Sequence, residues 1–535
     1  MDNNNFPNGF ELTVPSTVQT AFSDKTILTE ITQDFTLPDY QPEMRKLLRV
    51  TPTIQPPSRF LGMGEAEFAG NVNFSVLYLG GDGAPYTVTL SAPYTFRVPL
   101  EGDERMVGDR PLSLGIELRT DALQPRLTAP RKLNIRCRLS THMTGLCDEE
   151  IDIRQVGDPC TPETLERSRL CARTAFATGE AMELTDEFSL PAGEGDLRLI
   201  CSDGMVQITE AICTEEGVAC RGELYLKTLV TRDTSLDLTD GTPTPASMES
   251  LTRRIPFSQT VELSLPASLA GRDAMAYGLC TDISARVEDD KILCAATVVL
   301  EVQAEGNEKV TFVCDCFATD RPSVCEMRTY RYRHALACLN GNVTEGGAVN
   351  GNDAGIPQGA TPLDLSASAV LTGVSCERGH AILTGDCLYR MLYRTVEGEL
   401  AHAEFHLPLR YEIPGEGKYA DDCTLEADAR LTMLNGRIRL EGENNYMVDA
   451  EWAIAARLYT KEQIEAVDEA RFEGEAEDRR GAYVICYPAS DESLWSVAKR
   501  YRTPIRTLAA LNNLSGAADP ASPLSLDGIS FLMIG

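Results

Sequence analysis

GNVNFSVLY (Gly70–Tyr78) decides how the rest of the chain is read, because it returns as GELYLKTLV (Gly222–Val230) and GDCLYRMLY (Gly385–Tyr393). Two and four positions after each glycine stands an apolar or half-apolar residue: Val72 and Phe74, Leu224 and Leu226, Cys387 and Tyr389. Period two places such side chains on one face of a β-strand. A glycine at the head of each strand predicts a bulge, or a close approach of neighbouring backbone that a side chain would obstruct.

A second marker follows at constant spacing in two of the copies. PYTFRVP at Pro93 and PLRYEIP at Pro408 both start 23 residues beyond their glycines. The middle copy, PFSQTVE at Pro256, starts 34 residues on, and its extra length includes DLTDGTPTPASMES, a polar, proline-containing insertion of the kind surface loops tolerate. A third marker is PRLTAPRKLNIRCRL around Arg126, ARVEDDKILCAATVVL around Arg286 and ARLTMLNGRIRL around Arg430. Each reads as arginine, apolar residue, turn and alternating apolar positions, the pattern of a hairpin.

The sequence therefore predicts a mainly β protein of three repeated modules, at residues 10–150, 160–325 and 326–460, followed by a charged linker at 461–480 and a small α+β domain at 481–535. TPETLERSRL from Thr161 reads as short helix at a junction, and GNVTEGGAVNGNDAGIPQGA from Gly341 as an exposed loop. TKEQIEAVDEARFEGEAEDRR from Thr460 reads as linker or short helix, with Thr460 and Gln463 spaced for a capping box.

The tail differs in period. In SDESLWSVAKRYRTPIRTLAALNNLSG (Ser490–Gly516), Leu494, Val497, Ala498 and Tyr501 recur at three and four, and Pro504 and Ile505 open a second helix carrying Leu508 and Leu511. YVICYP before them and ISFLMIG after them have strand character, giving the order β-α-α-β.

This tail resembles a LysM domain. The resemblance rests on Ser493-Leu494-Trp495, Ala498, Tyr501, Leu508, Asn512, Leu514 and Gly528, with Asp491-Glu492 where the family usually has Gly-Asp. The three modules in turn resemble the SPOCS modules of endospore-forming bacteria, and their order before one LysM domain resembles a spore-coat morphogenesis protein. The resemblance implies a non-enzymatic tethering protein in the mother cell, at the forespore surface. Its implied partner is a spore coat-basement ATPase-like protein docked through the LysM domain. The other function it implies is a peptidoglycan anchor, in cortex or a phage-tail-like assembly. The partner or glycan site is expected on the loops around the two helices, at Asp491, Glu492, Ser493, Asn513, Leu514 and Ser515, with Trp495 as a further anchor.

Bulk composition narrows the classes. At 535 residues the chain is too long for one core. With 80 acidic against 49 basic residues, its net charge of −31 repels phosphate backbones and anionic lipid. The start MDNNNFPNGFELTVPSTVQ shows no basic region followed by an apolar run, and no stretch reaches the ~18 uninterrupted apolar residues of a membrane span. With 17 scattered cysteines, the expectation is reduced thiols in the cytoplasm, most of them small core residues.

No chemistry-bearing motif emerges. There is no G-x-S-x-G, H-E-x-x-H or G-x-x-x-x-G-K-[ST], and the five histidines are dispersed. His402 and His406 flank Glu404 on one strand face, which reads as a solvated face before it reads as a metal site. Cys314 and Cys316, in VCDCF, should likewise share a face, without the second cysteine pair that zinc would require. The acidic pairs Asp289-Asp290 and Asp421-Asp422 read as turns. No catalytic residue, cofactor or metal ligand is assigned.

Overall fold

A computed structural model of the chain describes residues 16–61, 65–99, 112–157, 160–189, 196–233, 247–288, 291–413, 419, 423–474, 483–489, 492–514, 526 and 529–535. It is mainly β. The first module contains β1 (Ser16–Thr36), β2 (Met44–Ile54), β3 (Ser58–Leu61), β4 (Glu65–Gly80), β5 (Pro85–Pro99), β6 (Leu112–Ala129) and β7 (Lys132–Ile151). β7 lies between β1 and β6 in one sheet, and β4 lies between β5 and the β2/β3 edge in the other. The two sheets share one core, from Ile31 and Val50 through Phe74 and Phe96 to Ile135 and Met143. β5 shows why: from Val88 onward in PYTVTLSAPYTFRVP every second side chain is buried.

β8 (Arg154–Gly157) crosses to the third module, where it pairs in parallel with the last strand. The second module repeats the plan with β9 (Glu163–Thr178), β10 (Met182–Ser189), β11 (Asp196–Cys213), β12 (Gly217–Asp233), β13 (Ser247–Glu262), β14 (Met275–Glu288) and β15 (Lys291–Phe317). The third comprises β16 (Ser323–Asn350), β17 (Thr361–Glu377), β18 (His380–Arg394), β19 (Leu400–Glu412), β20 (Glu426–Leu440) and β21 (Asn445–Phe472). The triplets β11-β12-β13 and β17-β18-β19 match the β2-β4-β5 sheet, and β14/β15 and β20/β21 match the β6/β7 hairpin.

The glycines at the head of the repeat fall at equivalent places on the central strands β4, β12 and β18. Opposite them lie Tyr94, Phe257 and Leu409, each the residue after the proline of the second marker. The large side chain thus fills the space above the bare Cα. On the other flank, one-residue bulges face Gly222 and Gly385, at Thr209 and Thr372. In the first module the same level is occupied by Gln55-Pro56-Pro57, which separates β2 from β3.

The modules close into a ring with approximate three-fold repetition: β5 meets β11, β13 meets β17 and β19 meets β2. Leu77, Leu229 and Leu392, each seven residues beyond its glycine, converge in one cluster with Leu48, Ile200 and Leu400. Burying each leucine contributes about 2 kcal/mol relative to exposure. Beside them Arg49 donates to Asp203 (2.8 Å) and Asp364 (2.6 Å), and Lys227 also pairs with Asp364. Burial would raise the Asp364 carboxyl, but Lys227 and Arg49 outweigh it and hold Asp364 below the usual carboxylate range.

A second meeting point uses another set of equivalent positions. Glu117, Tyr277 and Arg430 each precede by four residues the bulge of their strand. Arg430 Nε lies 3.2 Å from Glu117 Oε1, its Nη2 donates to Tyr277 Oη at 3.0 Å, and the guanidinium stacks 4.4 Å from the Tyr277 ring centre. A cavity between the modules adjoins this cluster, lined also by Arg59, His142 and Glu301.

The structure corrects several expectations. Thr161–Leu170 does not form helix: from Glu163 it is β9, paired along the extension of β15. Residues 341–350 are strand rather than loop, and Ile356 and Ala360 in the turns that follow are buried. The expected linker from 461 is strand as far as Phe472, with Ile464, Ala466, Ala470 and Phe472 buried, so Thr460 and Gln463 cap no helix. Residues 475–482 lie outside the described residues. In the third module Arg430 does not precede a turn, because β20 runs on through Asn435-Gly436 with a bulge and turns only after Leu440. Of the polar insertion DLTDGTPTPASMES, residues 237–246 lie outside the described residues and Ser247–Ser250 open β13, while the pairs Asp289-Asp290 and Asp421-Asp422 lie outside the described residues.

His402, Glu404 and His406 do share the exposed face of β19, where His406 meets Asp386 (2.5 Å) and Glu404 meets Arg390 (3.1 Å). Cys314 and Cys316 do not share a face. A bulge at Cys314 shifts the alternation, so Cys316 packs with Val313 and Phe472 while Cys314 packs with Phe312 and Phe317.

Candidate binding site in the C-terminal domain

The tail consists of β22 (Val484–Cys486), α1 (Leu494–Tyr501), α2 (Ile505–Leu511) and β23 (Leu532–Ile534), with β22 and β23 antiparallel. Leu494, Val497 and Ala498 from α1, Ile505, Leu508 and Ala509 from α2, and Cys486, Leu532 and Ile534 from the strands form its core. Helical spacing in the sequence placed Leu494, Val497, Ala498 and Leu508 on this side; Tyr501 and Leu511, placed there too, are only partly buried.

Each terminus of α1 has a local cause. Ser493 is its N-cap, accepting from the Ser496 backbone N–H at 3.1 Å. The helix ends at Arg502 in the left-handed conformation (φ 50°), with Thr503 donating back to the Ala498 carbonyl at 3.0 Å. Pro504 then starts α2 at a position where its missing N–H costs nothing. Asn512 fastens the far end: its Oδ1 accepts from the Met533 N–H at 2.6 Å, and its Nδ2 donates to the carbonyls of Met533 (2.7 Å) and Leu508 (2.9 Å).

The predicted site residues divide into distinct roles. Glu492 accepts from the Ala489 backbone N–H at 3.2 Å and pairs with Arg500 at 2.9 Å, so its carboxylate is engaged within the domain. Ser493 is spent on capping. Asn513 is exposed and left-handed (φ 54°), while Leu514 is partly buried against the core. Asp491, Ser515 and Gly528 lie outside the described residues.

Trp495 is not available to a partner. It is 4% exposed and packs between the tail's core and the second module. Its ring meets Phe317 edge-on at 5.1 Å, and its Nε1 donates to Asp315 Oδ2 at 2.8 Å. Lys499 reaches the other oxygen of Asp315 at 2.5 Å, and Leu165 of β9 completes the contact. The residue is thus the anchor that docks the tail to the body.

The opposite face of the small sheet was not among the predicted site residues. In β22 only Cys486 is buried, while Tyr483, Val484, Ile485 and Tyr487 are exposed, and Phe531 and Met533 flank buried Leu532, leaving a row of exposed apolar side chains. In ISFLMIG the alternation of Phe531 and Met533 with Leu532 is the signal that carries it, whereas YVICYP is apolar on both sides.

Among the described residues no group of histidine, cysteine and carboxylate side chains could hold a metal ion, and no helix is long and apolar enough to cross a membrane. No curated protein and no solved structure matches the chain. One family model does match, over the segment in which Ser493, Trp495, Asn512 and Leu514 lie: residues 489–519 form a LysM domain, a binding module and not a catalytic one.

Proposed function

We propose that this chain is a non-enzymatic assembly protein whose LysM domain binds an N-acetylglucosamine polymer such as peptidoglycan. The LysM match at 489–519 carries this reading. Two features support it. Trp495, Lys499 and Asp315 dock the domain to the body without using Asn513, which stays exposed. Glu492 is neutralised by Arg500, so the carboxylate in place of the family's usual residue is not a bare charge beside a neutral sugar. The full chain should be retained on purified peptidoglycan and released by soluble N-acetylglucosamine oligomers. Passage of the folded chain through such a matrix unretained would refute glycan binding.

A second reading, favoured by the order of three modules of one topology before a single LysM domain, is docking to a spore coat-basement ATPase-like protein in the mother-cell cytoplasm. Exchange of Asp491 and Glu492 for lysine should then abolish capture of the purified coat-basement ATPase, with the unfolding midpoint measured alongside because Glu492 also holds Ala489 and Arg500 within the domain. Undiminished capture by the exchanged chain would count against these two carboxylates as the docking charge.

A further inference from the structure

The motif VCDCF is not absorbed by any role described above. Its second cysteine, Cys316 at the end of β15, is fully buried, and it meets a cysteine from a different sheet: Cys325 at the start of β16, with the two sulfurs 3.3 Å apart. Cys325 is only partly buried. Ile153, Val313, Val467 and Phe472 pack around the pair, and Cys160 borders the same cluster. The site therefore lies where the second module hands over to the third, one residue from Asp315, which holds Trp495 and Lys499 of the tail.

We infer that Cys316 and Cys325 are a redox-active dithiol, in which partly exposed Cys325 attacks and buried Cys316 resolves, closing an intrachain disulfide between the second and third modules. The geometry is close to what closure needs. Sulfurs in contact at 3.3 Å must approach to about 2.05 Å, a movement that side-chain rotation and a small shift at the strand ends can supply. The difference in exposure assigns the roles, because a small oxidant can reach Cys325 and not Cys316. The electrostatics agree. The hydrogen bond from the Cys316 thiol holds Cys325 down, to about 7, against its desolvation, while the same bond and burial push Cys316 well up.

The oxidant is a low-molecular-weight disulfide of the glutathione class. The Cys325 thiolate attacks one sulfur of that disulfide, forming a mixed disulfide and expelling one small thiolate, which takes up a proton. Cys316 loses its proton and attacks the Cys325 sulfur, closing the Cys316–Cys325 bond and expelling the second small thiol. Two protein thiols are oxidised and one small disulfide is reduced to two thiols.

The test uses the full chain in glutathione redox buffers at pH 7, followed by differential alkylation and mass spectrometry. The Cys316–Cys325 disulfide should form while the remaining cysteines stay alkylatable. Cys316→Ser should leave Cys325 trapped as a glutathione adduct, and Cys325→Ser should leave neither disulfide nor adduct. In the reduced chain Cys325 should be alkylated with a midpoint near pH 7, and Cys316→Ala should slow its alkylation at pH 7 on the order of tenfold. The inference is overturned if the wild-type chain forms no such bond under oxidising glutathione. It is equally overturned if Cys325 pairs first with Cys160 or Cys314, or if Cys316→Ser accumulates no adduct.

Discussion

The ring of modules and the tail are held by contacts of opposite kinds. In the body, equivalent positions of a repeated strand converge, and the copies have diverged so that unlike side chains complement one another: Glu117, Tyr277 and Arg430 at one level, Arg49, Cys201 and Asp364 at another. Among the described residues the tail is attached through Trp495 and Lys499 on Asp315. A repeat that must contact itself in a ring would bring like charges together unless its copies differ. The tail has no such constraint, so its helices follow the family pattern, with Trp495 and Lys499 committed to the body.

Breaking the ring should cost most. Asp364 serves Arg49 and Lys227 with its side chain only 2% exposed, so Asp364→Ala leaves two cations without that carboxylate. Loss of a buried partner of this kind costs about 3–5 kcal/mol, measurable as a lower urea midpoint. The pH dependence has a fixed sign. Because the folded carboxyl titrates below the unfolded value of about 3.9, its stabilisation is present above that pH and is lost as pH falls through the folded value. Wild type and Asp364→Asn should therefore converge in stability as the pH drops below about 4.

Breaking the tail's anchor should cost nearly as much but only locally. Trp495→Ala removes the ring from Phe317 and the donor from Asp315, a loss of about 3 kcal/mol for a buried aromatic. Hydrogen exchange should accelerate in α1 and α2 while the strands of the ring keep their protection. Acceleration spreading to β4 or β18 would show that the two regions are not separable.

The module glycines sharpen the comparison within the body. A Cβ at Gly222 would collide with the Gln207 carbonyl as well as the Phe257 ring, and one at Gly385 would lie 2.7 Å from the Val370 carbonyl. At Gly70 it would meet the far end of Tyr94, at 2.6 Å, where no bulge faces the glycine. Valine at Gly222 or Gly385 should lower stability by about 1–3 kcal/mol. Gly70→Val should fall at the low end, since a side chain yields more readily than backbone, although Tyr94 then loses its hydrogen bond to Gln55 (2.8 Å). Equal thermal shifts at all three would contradict this ranking. Smallest of all, Arg500→Gln should change stability by under about 1 kcal/mol, because its ion pair with Glu492 is largely solvated on the arginine side.

What the sequence made legible follows from how local each signal is. The glycine strands and the proline strands after them were readable because period two survives within one strand, and the large residue opposite each glycine sits next to the proline that flags it. The stretch after Lys461 misled for a physical reason. A bulge at Asp468 leaves both Ala466 and Val467 buried, and Glu469 points inward to Arg471 and Arg154. The alternation is thereby broken, and Ile464 and Val467 fall at helical spacing. The third hairpin misled through Asn435-Gly436, a turn signal that the long pairing with β21 overrides, the bulge lying at Leu434 just before it. In the tail, the helices and strands were legible, but the destination of Trp495 was not. Its partners stand 180 residues earlier in the chain, and nothing near Trp495 records them.

The central claim is that the LysM domain takes glycan on its helix-flanking loops while Trp495 remains seated on the body. Hydrogen exchange of the full chain with and without a soluble N-acetylglucosamine oligomer tests it most directly. The account predicts new protection around Glu492–Ser493 and Asn512–Leu514, with α1 unchanged on its Trp495 side. Protection confined to the apolar row of Tyr483, Ile485 and Phe531, or no change anywhere in the tail at saturating oligomer, would contradict it.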